Sequence, residues 1–412
     1  MLWFMALTMR WVDESDLDRV AETRWKCYGH AGKDLARFKE GIRTDPRASV
    51  GDFLLAERDG EAVGTATSLP LTMWVRGAAM RCQGVAYVGT VKSARRRGGK
   101  EMGVASAVMW ETLRIARQRG DVVTALMPFR VSFYEHFGYG AVERRAEWTI
   151  PLSITPAMDC SGWKFMTAGD RAAQAQQWQR SVQGGQCDVE FHAKRWEQIN
   201  LSAAEEGMEF IDRSGGEARA SMVVTREISG GRNILQVQRW SADSAADFGR
   251  MLSFLGTMRD QFSAATIQVP MDWHVHRLLR EGQVPHRAVD HPASEVRCDA
   301  RMQVRILDHR KFLESIHWPM GTRGRAVVEV AECEGNISRF SVEVEGGRAK
   351  VADAAGKTEF QCPDRVWAAV ATGDLAASDA VRWGLAWQTS GTAVEVLDAL
   401  AAGPRPFCRE RF

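Results

Sequence analysis

The residues best suited to chemistry on an anion form a basic turn, Arg95-Arg96-Arg97-Gly98-Gly99. A strand-like run, Val85 to Val91, leads into it. A run with Met102, Ala105, Val108, Met109, Ile115 and Ala116 at helical spacing leads out. A helix N-terminus presents unpaired backbone N–H groups and the positive end of a dipole. Glycines let the backbone approach a bulky anion, and arginines add charge. Such a turn suits a pyrophosphate. The spacing is V-x-x-x-x-R-R-x-G, on Val91, Arg96, Arg97 and Gly99. It is neither G-x-x-x-x-G-K-[ST] nor G-x-G-x-x-G. A solvated basic face is the plainer alternative. Against it stands the order of elements: strand, basic turn, helix, apolar strand (Val122 to Met127) and an aromatic turn ending at Gly140.

That pattern resembles motif A of the GNAT acyltransferases. The basic turn, Tyr134 and Tyr139 in Y-x-x-F-G-Y-G, the chain length and the final Phe412 together resemble the Eis (enhanced intracellular survival) family. The resemblance implies acetyl-CoA as co-substrate, with its pyrophosphate on Arg96, Arg97, Gly98 and Gly99. It implies a homo-oligomer, a trimer or hexamer. The activity implied is N-acetyl transfer to a primary amine, on a small molecule or a lysine, by direct attack in a ternary complex.

Acetyl transfer to an amine needs a polarised carbonyl, a neutral nucleophile, an acid for the leaving thiolate and close positioning. Backbone polarity and the resemblance point to Gly89, Thr90 and Val91 for the carbonyl. Tyr134 is the candidate acid, since a phenol of pKa about 10 can donate to a thiolate. Tyr139 reads as packing. The resemblance places the Phe412 carboxylate in the site as base or relay; a frayed tail is the alternative for any chain end. Arg409 and Arg411 make this tail more basic than a polycationic acceptor would favour, unless Glu410, Asp13, Glu14 or Asp16 offset them.

Other chemistry is weakly represented. His274 and His276 would diverge on a helix, so no metal site is expected. His136 reads as a neighbour of Tyr134 or as exposed. The eight cysteines are scattered without C-x-x-C and read as free thiols of a reducing, cytoplasmic compartment. Cys27 and Cys82 read as small apolar residues. Net charge is +2, which excludes a large field aimed at nucleic acid or anionic membrane. No apolar run approaches the roughly 18 residues of a membrane span. The apolar start, residues 1–8, is too short for a signal peptide and reads as a leader.

Positioning these residues requires a mixed sheet. Arg10 to Val12 reads as a strand, and Asp13 or Ser15 as the cap of a helix carrying Leu17, Val20, Ala21 and Trp25. A hairpin turns at Asp59-Gly60, and two further strands flank Gly77. The fold class is therefore α/β (α+β). Residues 1–151 form a GNAT domain. Residues 152–299 repeat the element order without a coenzyme loop, including a helix from Trp273 to Glu281. Residues 300–412 form an α+β unit that starts with a strand from Met302 to Ile306 and resembles a sterol-carrier-protein domain. The rival function is an acyl-CoA or lipid-binding protein without turnover.

Overall fold

The computed structural model describes residues 7–29, 35–95, 102–191, 196, 207–284 and 291–412. The chain divides into two compact units. Unit 1 holds residues 1–142, 302–402 and 410–412, and unit 2 holds residues 143–301 and 403–409.

Unit 1 begins with β1 (Thr8–Trp11), α1 (Leu17–Tyr28), α2 (Leu35–Arg43), β2 (Phe53–Arg58), β3 (Glu61–Val75) and β4 (Ala78–Thr90). It continues with α3 (Val104–Arg119), β5 (Val123–Leu126), α4 (Val131–Glu135) and β6 (Gly140–Ala141). Asp13 accepts a 2.9 Å bond from the Ser15 amide and opens the turn into α1. The strands expected on either side of Gly77 are one long hairpin, β3–β4. Arg76 and Gly77 turn it with φ of +47° and +73°. Side chains alternate across the sheet. Phe53 and Leu55 pack with Leu17, Val20 and Ala21 of α1. Leu54, Ala66 and Val85 pack with Val108, Met109 and Leu113 of α3 on the opposite face.

The apolar stripe of α1 differs from the expected one. Trp25 is 40% exposed, and the buried position is Arg24, at 2%. Spacing of three from Ala21 lands on the core, and spacing of four lands on the rim.

Unit 2 contains β7 (Arg144–Pro151), β8 (Trp163–Phe165), α5 (Arg171–Gln183), β9 (Asp188–Val189), β10 (Met208–Asp212), β11 (Ala220–Ser229) and β12 (Arg232–Ala242). It closes with α6 (Ala245–Gly256), β13 (Ala264–Pro270) and β14 (Glu295–Ala300). Its sheet runs β14-β7-β13-β12-β11-β10-β8. The expected helix over Trp273 to Glu281 is only a 3-10 turn, Val275–Arg277. Trp273 instead packs against Trp240 and Phe248, at 5.2 and 4.8 Å between ring centroids. Residues 193–204, whose sequence also reads as a helix, lie outside the described residues, apart from Trp196.

Where a coenzyme turn would sit, between β12 and α6, stand Asp243, paired with Arg180 at 2.8 Å, and the cap Ser244. An acidic side chain there disfavours an anion. Beside this turn lies a cavity of about 570 Å³. Phe407 and Arg409 of the C-terminal segment line it. That segment is firmly held. The Cys408 amide donates to Glu143 at 3.1 Å, the Phe407 amide to the Gln186 carbonyl at 2.8 Å, and Arg409 pairs with buried Asp188.

The rest of unit 1 comprises β15 (Gln303–Ile306), α7 (His309–Ser315), β16 (Gly324–Ala331), β17 (Ile337–Glu345), β18 (Arg348–Asp353) and β19 (Phe360–Pro363). After them come α8 (Asp364–Ala371), α9 (Ala377–Arg382), β20 (Trp387–Gln388) and α10 (Gly391–Asp398). Strands β16 to β20 form a sheet in the order β18-β17-β16-β19-β20.

Two strands depart from their expected places. Strand β15, expected to open the last unit, lies in the first sheet between β5 and β6, giving the order β1-β2-β3-β4-β5-β15-β6. Strand β7, expected to close the first sheet, belongs to the second. A strand pattern encodes a face and a length, not a partner, so a distant segment can fill the vacancy beside β5.

Candidate active site

The site is built where two parallel strands part. β4 and β5 pair from Cys82 with Val123 to Val85 with Leu126. β5 then ends, while β4 continues to Thr90. A bulge falls in this stretch. Thr65 pairs with Gly89 but Thr67 pairs with Ala86, and Tyr87 takes a φ of +54°. Bulges beside sites re-aim the backbone.

Of Gly89, Thr90 and Val91, the structure leaves one amide for an incoming carbonyl. The Val91 amide donates to the Val63 carbonyl at 2.9 Å. Antiparallel strands alternate the direction of their amides, so Gly89 also faces β3 and Thr90 faces away. The Val91 amide is therefore already engaged within the sheet. Two residues before Thr90, the Val88 carbonyl accepts from the Tyr28 hydroxyl at 2.9 Å. Gly89 is required sterically. A β-carbon there would lie 2.8 Å from Cys27 Cβ and 3.0 Å from its sulfur.

Arg96, Arg97, Gly98 and Gly99 lie outside the described residues. The helix that follows has Gly103 at its N-cap, and among the described residues no side chain caps it. Its first amides are available to an anion. Among the described residues, nothing lies within 4 Å of where a β-carbon at position 103 would stand. The residues present fit the pyrophosphate of a coenzyme.

Tyr134 sits on the short helix α4, on the α3 face of the sheet, and is 4% exposed. Its ring meets Phe129, Phe133 and Tyr139 edge-on, with centroids at 5.8, 5.0 and 6.3 Å. Burial pushes its phenol up to about 12. Burial likewise raises the Tyr28 phenol, with smaller contributions from Cys27 and Tyr134. Tyr139 is a hydrogen-bonded core residue, with its hydroxyl 2.8 Å from that of Thr124. His136 is exposed and spends its Nδ1 on the Ser132 carbonyl at 2.7 Å. The Cys27 thiol is pushed up to about 11 by burial, which keeps it protonated and unreactive at neutral pH.

The chain end reaches β4 on the opposite face. A β-carbon at Gly84 would lie 3.1 Å from Cδ2 of Phe412 and 2.5 Å from a Leu71 methyl. The Arg411 carbonyl accepts from Arg47 Nη1 at 2.7 Å, and Arg47 is itself paired with Asp45 at 2.8 Å. Glu410 is buried, and its charge acts on Arg47. Upstream, Arg76 donates to the carbonyls of Leu400 and Ala402 at 2.7 and 2.8 Å, fixing the chain before the tail. Two of the acidic residues near the N-terminus are engaged locally. Asp16 pairs with Arg10 and Arg19, and Asp13 caps its own turn.

Sequence reasoning passed over Arg24, Tyr28, Arg47 and Tyr87. One signal was available: the chain has only four tyrosines, and all of them stand on or beside the parted strands. His274 and His276 lie with rings 6.0 Å apart in the 3-10 turn of unit 2. Among the described residues, the grouping of potential metal ligands is a different one: Cys333, Glu334 and Asp364. Arg305 pairs with Glu334 and lies 3.9 Å from Asp364, supplying the positive charge there.

Residues 8–142 match the family model of the acetyltransferase (GNAT) domain, and residues 309–409 match that of the sterol carrier protein domain. The first part of the chain is a GNAT acetyltransferase domain. An uncharacterized N-acetyltransferase from Streptomyces avermitilis is 32% identical over 111 residues, which is 27% of this chain. The match spans 24% of that relative's length. A GCN5-related N-acetyltransferase from Anabaena variabilis superposes with a TM-score of 0.83 at 19% identity, covering 99% of this chain and 100% of that one. Eis1 from Mycobacterium abscessus superposes with a TM-score of 0.80 at 18% identity, covering 98% and 100%. At such identities the likeness is one of fold. The architecture is Eis-like: mixed α/β sheets, a GNAT domain first and a sterol-carrier domain last.

Proposed function

We propose that this GNAT-domain protein is an acetyl-CoA-dependent N-acetyltransferase in which a primary amine attacks the thioester directly. The observation that carries the reading is the parting of β4 from β5, flanked by an uncapped helix N-terminus, a buried phenol on one face and the chain end on the other. Arg96, Arg97, Gly98, Gly99 and the first amides of α3 hold the pyrophosphate. Thr90 turns its amide toward the acetyl carbonyl and polarises it. The amine nitrogen bonds to the carbonyl carbon, the C–S bond breaks, and the amine proton passes to the Phe412 carboxylate or to water beside it.

Burial refines the part played by Tyr134. A phenol held at about 12 is a weaker acid than the leaving thiol. Full proton transfer to a thiolate of pKa about 8.5 is uphill by about 3.5 units, or about 5 kcal/mol. Tyr134 therefore acts as a hydrogen-bond donor to the developing thiolate. This reading includes the cytoplasmic setting and the homo-oligomer. Among the described residues, no helix is long and apolar enough to cross a membrane.

The test is acetyl-CoA titration by calorimetry, followed by thiol release over a panel of amines. One coenzyme per chain and turnover on at least one amine are expected. Absence of binding would overturn the reading, and two coenzymes per chain would mean that unit 2 also binds one.

A further inference from the structure

One buried charge has no part in that chemistry. Arg24 projects from α1 and is 2% exposed. Its Nη2 donates to the Thr67 hydroxyl, its Nε has no partner, and no carboxylate among the described residues forms an ion pair with it. Its guanidinium lies 4.2 Å from the centre of the Tyr87 ring and 5.0 Å from that of Phe53. Burial pulls its pKa down to about 10, so it stays charged at neutral pH. A buried cation without a counter-charge destabilises a fold, and a methionine would fill the same space without that cost.

Its position relates it to the site. Thr67 pairs with Ala86, and Leu69 pairs with Gly84. Residues two apart on a strand share a face. The Phe412 ring fills the space beside Gly84. Arg24 and Phe412 therefore lie on the same face of β3–β4, one side-chain repeat apart, or about 7 Å along the strand. The neighbouring charges are partly spent. Asp45 is paired with Arg47, and Glu410 acts on Arg47. Tyr87, whose ring lies against the guanidinium, is itself 41% exposed and stands between it and solvent.

We infer that Arg24 binds an acidic group of the acceptor, so that the amine acetylated is one that also carries a carboxylate, as amino acids do. The inference rests on the N-acetyltransferase reading and deepens it. The two ends of such a zwitterion meet opposite charges: the amine faces the chain-terminal carboxylate, and the acid meets the guanidinium bidentately. A polycationic acceptor would bring a positive charge against Arg24.

The experiment compares amino acids with their carboxamides as acceptors, by thiol release from acetyl-CoA, in the wild-type chain and in Arg24→Gln and Arg24→Lys. Wild type should favour the acid at least ten-fold in kcat/KM, mainly through KM. Arg24→Gln should bring the acid-to-amide ratio to about one, and Arg24→Lys should restore part of it. Calorimetric titration of acetyl-CoA into each variant separates folding from specificity. If Arg24→Gln no longer binds acetyl-CoA, the Arg24→Lys ratio and direct titration of the acid into coenzyme-bound wild type decide. An amide preferred in wild type, or a ratio unchanged by both variants, overturns the inference while leaving the activity standing. No turnover on any amine overturns both.

Discussion

Replacing Tyr134 by Phe removes one hydroxyl and keeps the ring in its edge-on setting. Because burial is what sets this phenol's acidity, the substitution should alter stability by less than about 1 kcal/mol. The rate should change more. If Tyr134 donated a full proton, general acid catalysis would be worth about 100- to 10,000-fold. A charge-assisted hydrogen bond to the thiolate is worth about 1.5–3 kcal/mol, or about 10- to 150-fold. A fall in kcat of that smaller size is expected, with acetyl-CoA affinity unchanged. Pre-steady-state thiol release measures the first and calorimetry the second.

The pH dependence gives an independent check. An exposed phenol is half ionised near pH 10, whereas one held at about 12 keeps its proton throughout the usual assay range. Wild-type kcat should therefore show no alkaline loss from this group below about pH 11. Unchanged kcat in Tyr134→Phe would remove the residue from the mechanism. An alkaline limb near pH 10 that disappears in the variant would refute the argument from burial.

Further expectations concern the chain end and the packing of unit 1. Deleting Phe412 should cut turnover about ten-fold or more while sparing acetyl-CoA binding, because in the proposed reaction its carboxylate takes the amine proton; unchanged turnover would take the tail out of the reaction. Gly140→Ala should destabilise by about 3 kcal/mol, since the new carbon would sit 1.9 Å from the Arg365 carbonyl oxygen, which cannot yield as a side chain would; chemical denaturation reads it. Glu334 is an exposed residue; desolvation of its carboxyl would raise its pKa, but Arg305 and then Arg117 hold it down at about 2. Its stabilisation is thus present above the unfolded value of about 4.3 and is lost as pH falls toward 2. Screening limits it to about 1–2 kcal/mol. The gap in melting temperature between wild type and Glu334→Gln should close in acid, and a gap constant with pH would count against the ion pairs.

What the sequence made legible was local. Strand β4, helix α3, strand β5 and the Tyr134 turn follow one another within about sixty residues, and each bears its own period. Strand β3 read as two pieces because Pro70 interrupts it. The strand nonetheless continues, since β2 pairs with it only as far as Thr67 and the missing Pro70 amide costs that ladder nothing. The placement of β15 was not legible: its partners β5 and β6 lie more than 150 residues back in the chain, and nothing in Gln303–Ile306 specifies an address. Arg24 lay between the two cases. Leu17, Val20, Ala21 and Cys27 define a stripe on which position 24 falls, but an apolar reading of that stripe moves to Trp25.

That misreading bears on function. A helix whose apolar stripe contains an arginine has a local preference at odds with its packing, and such conflicts concentrate where a fold serves something besides stability. Around Tyr134 no such conflict exists, because an aromatic residue among aromatic neighbours is consistent at every level. The two sides of the parted strands therefore differ in kind. The Tyr134 side could evolve as ordinary core that happens to hold a proton. The Arg24 side bears the cost of a desolvated cation, which its ring contacts and the Thr67 hydroxyl offset in part and a bound anion would offset further. An acidic acceptor should then stabilise the coenzyme-bound protein against heat, by an amount set by its concentration relative to its Kd. The matching carboxamide should not, and equal stabilisation by both would show that the charge on Arg24 is not what the acceptor reads.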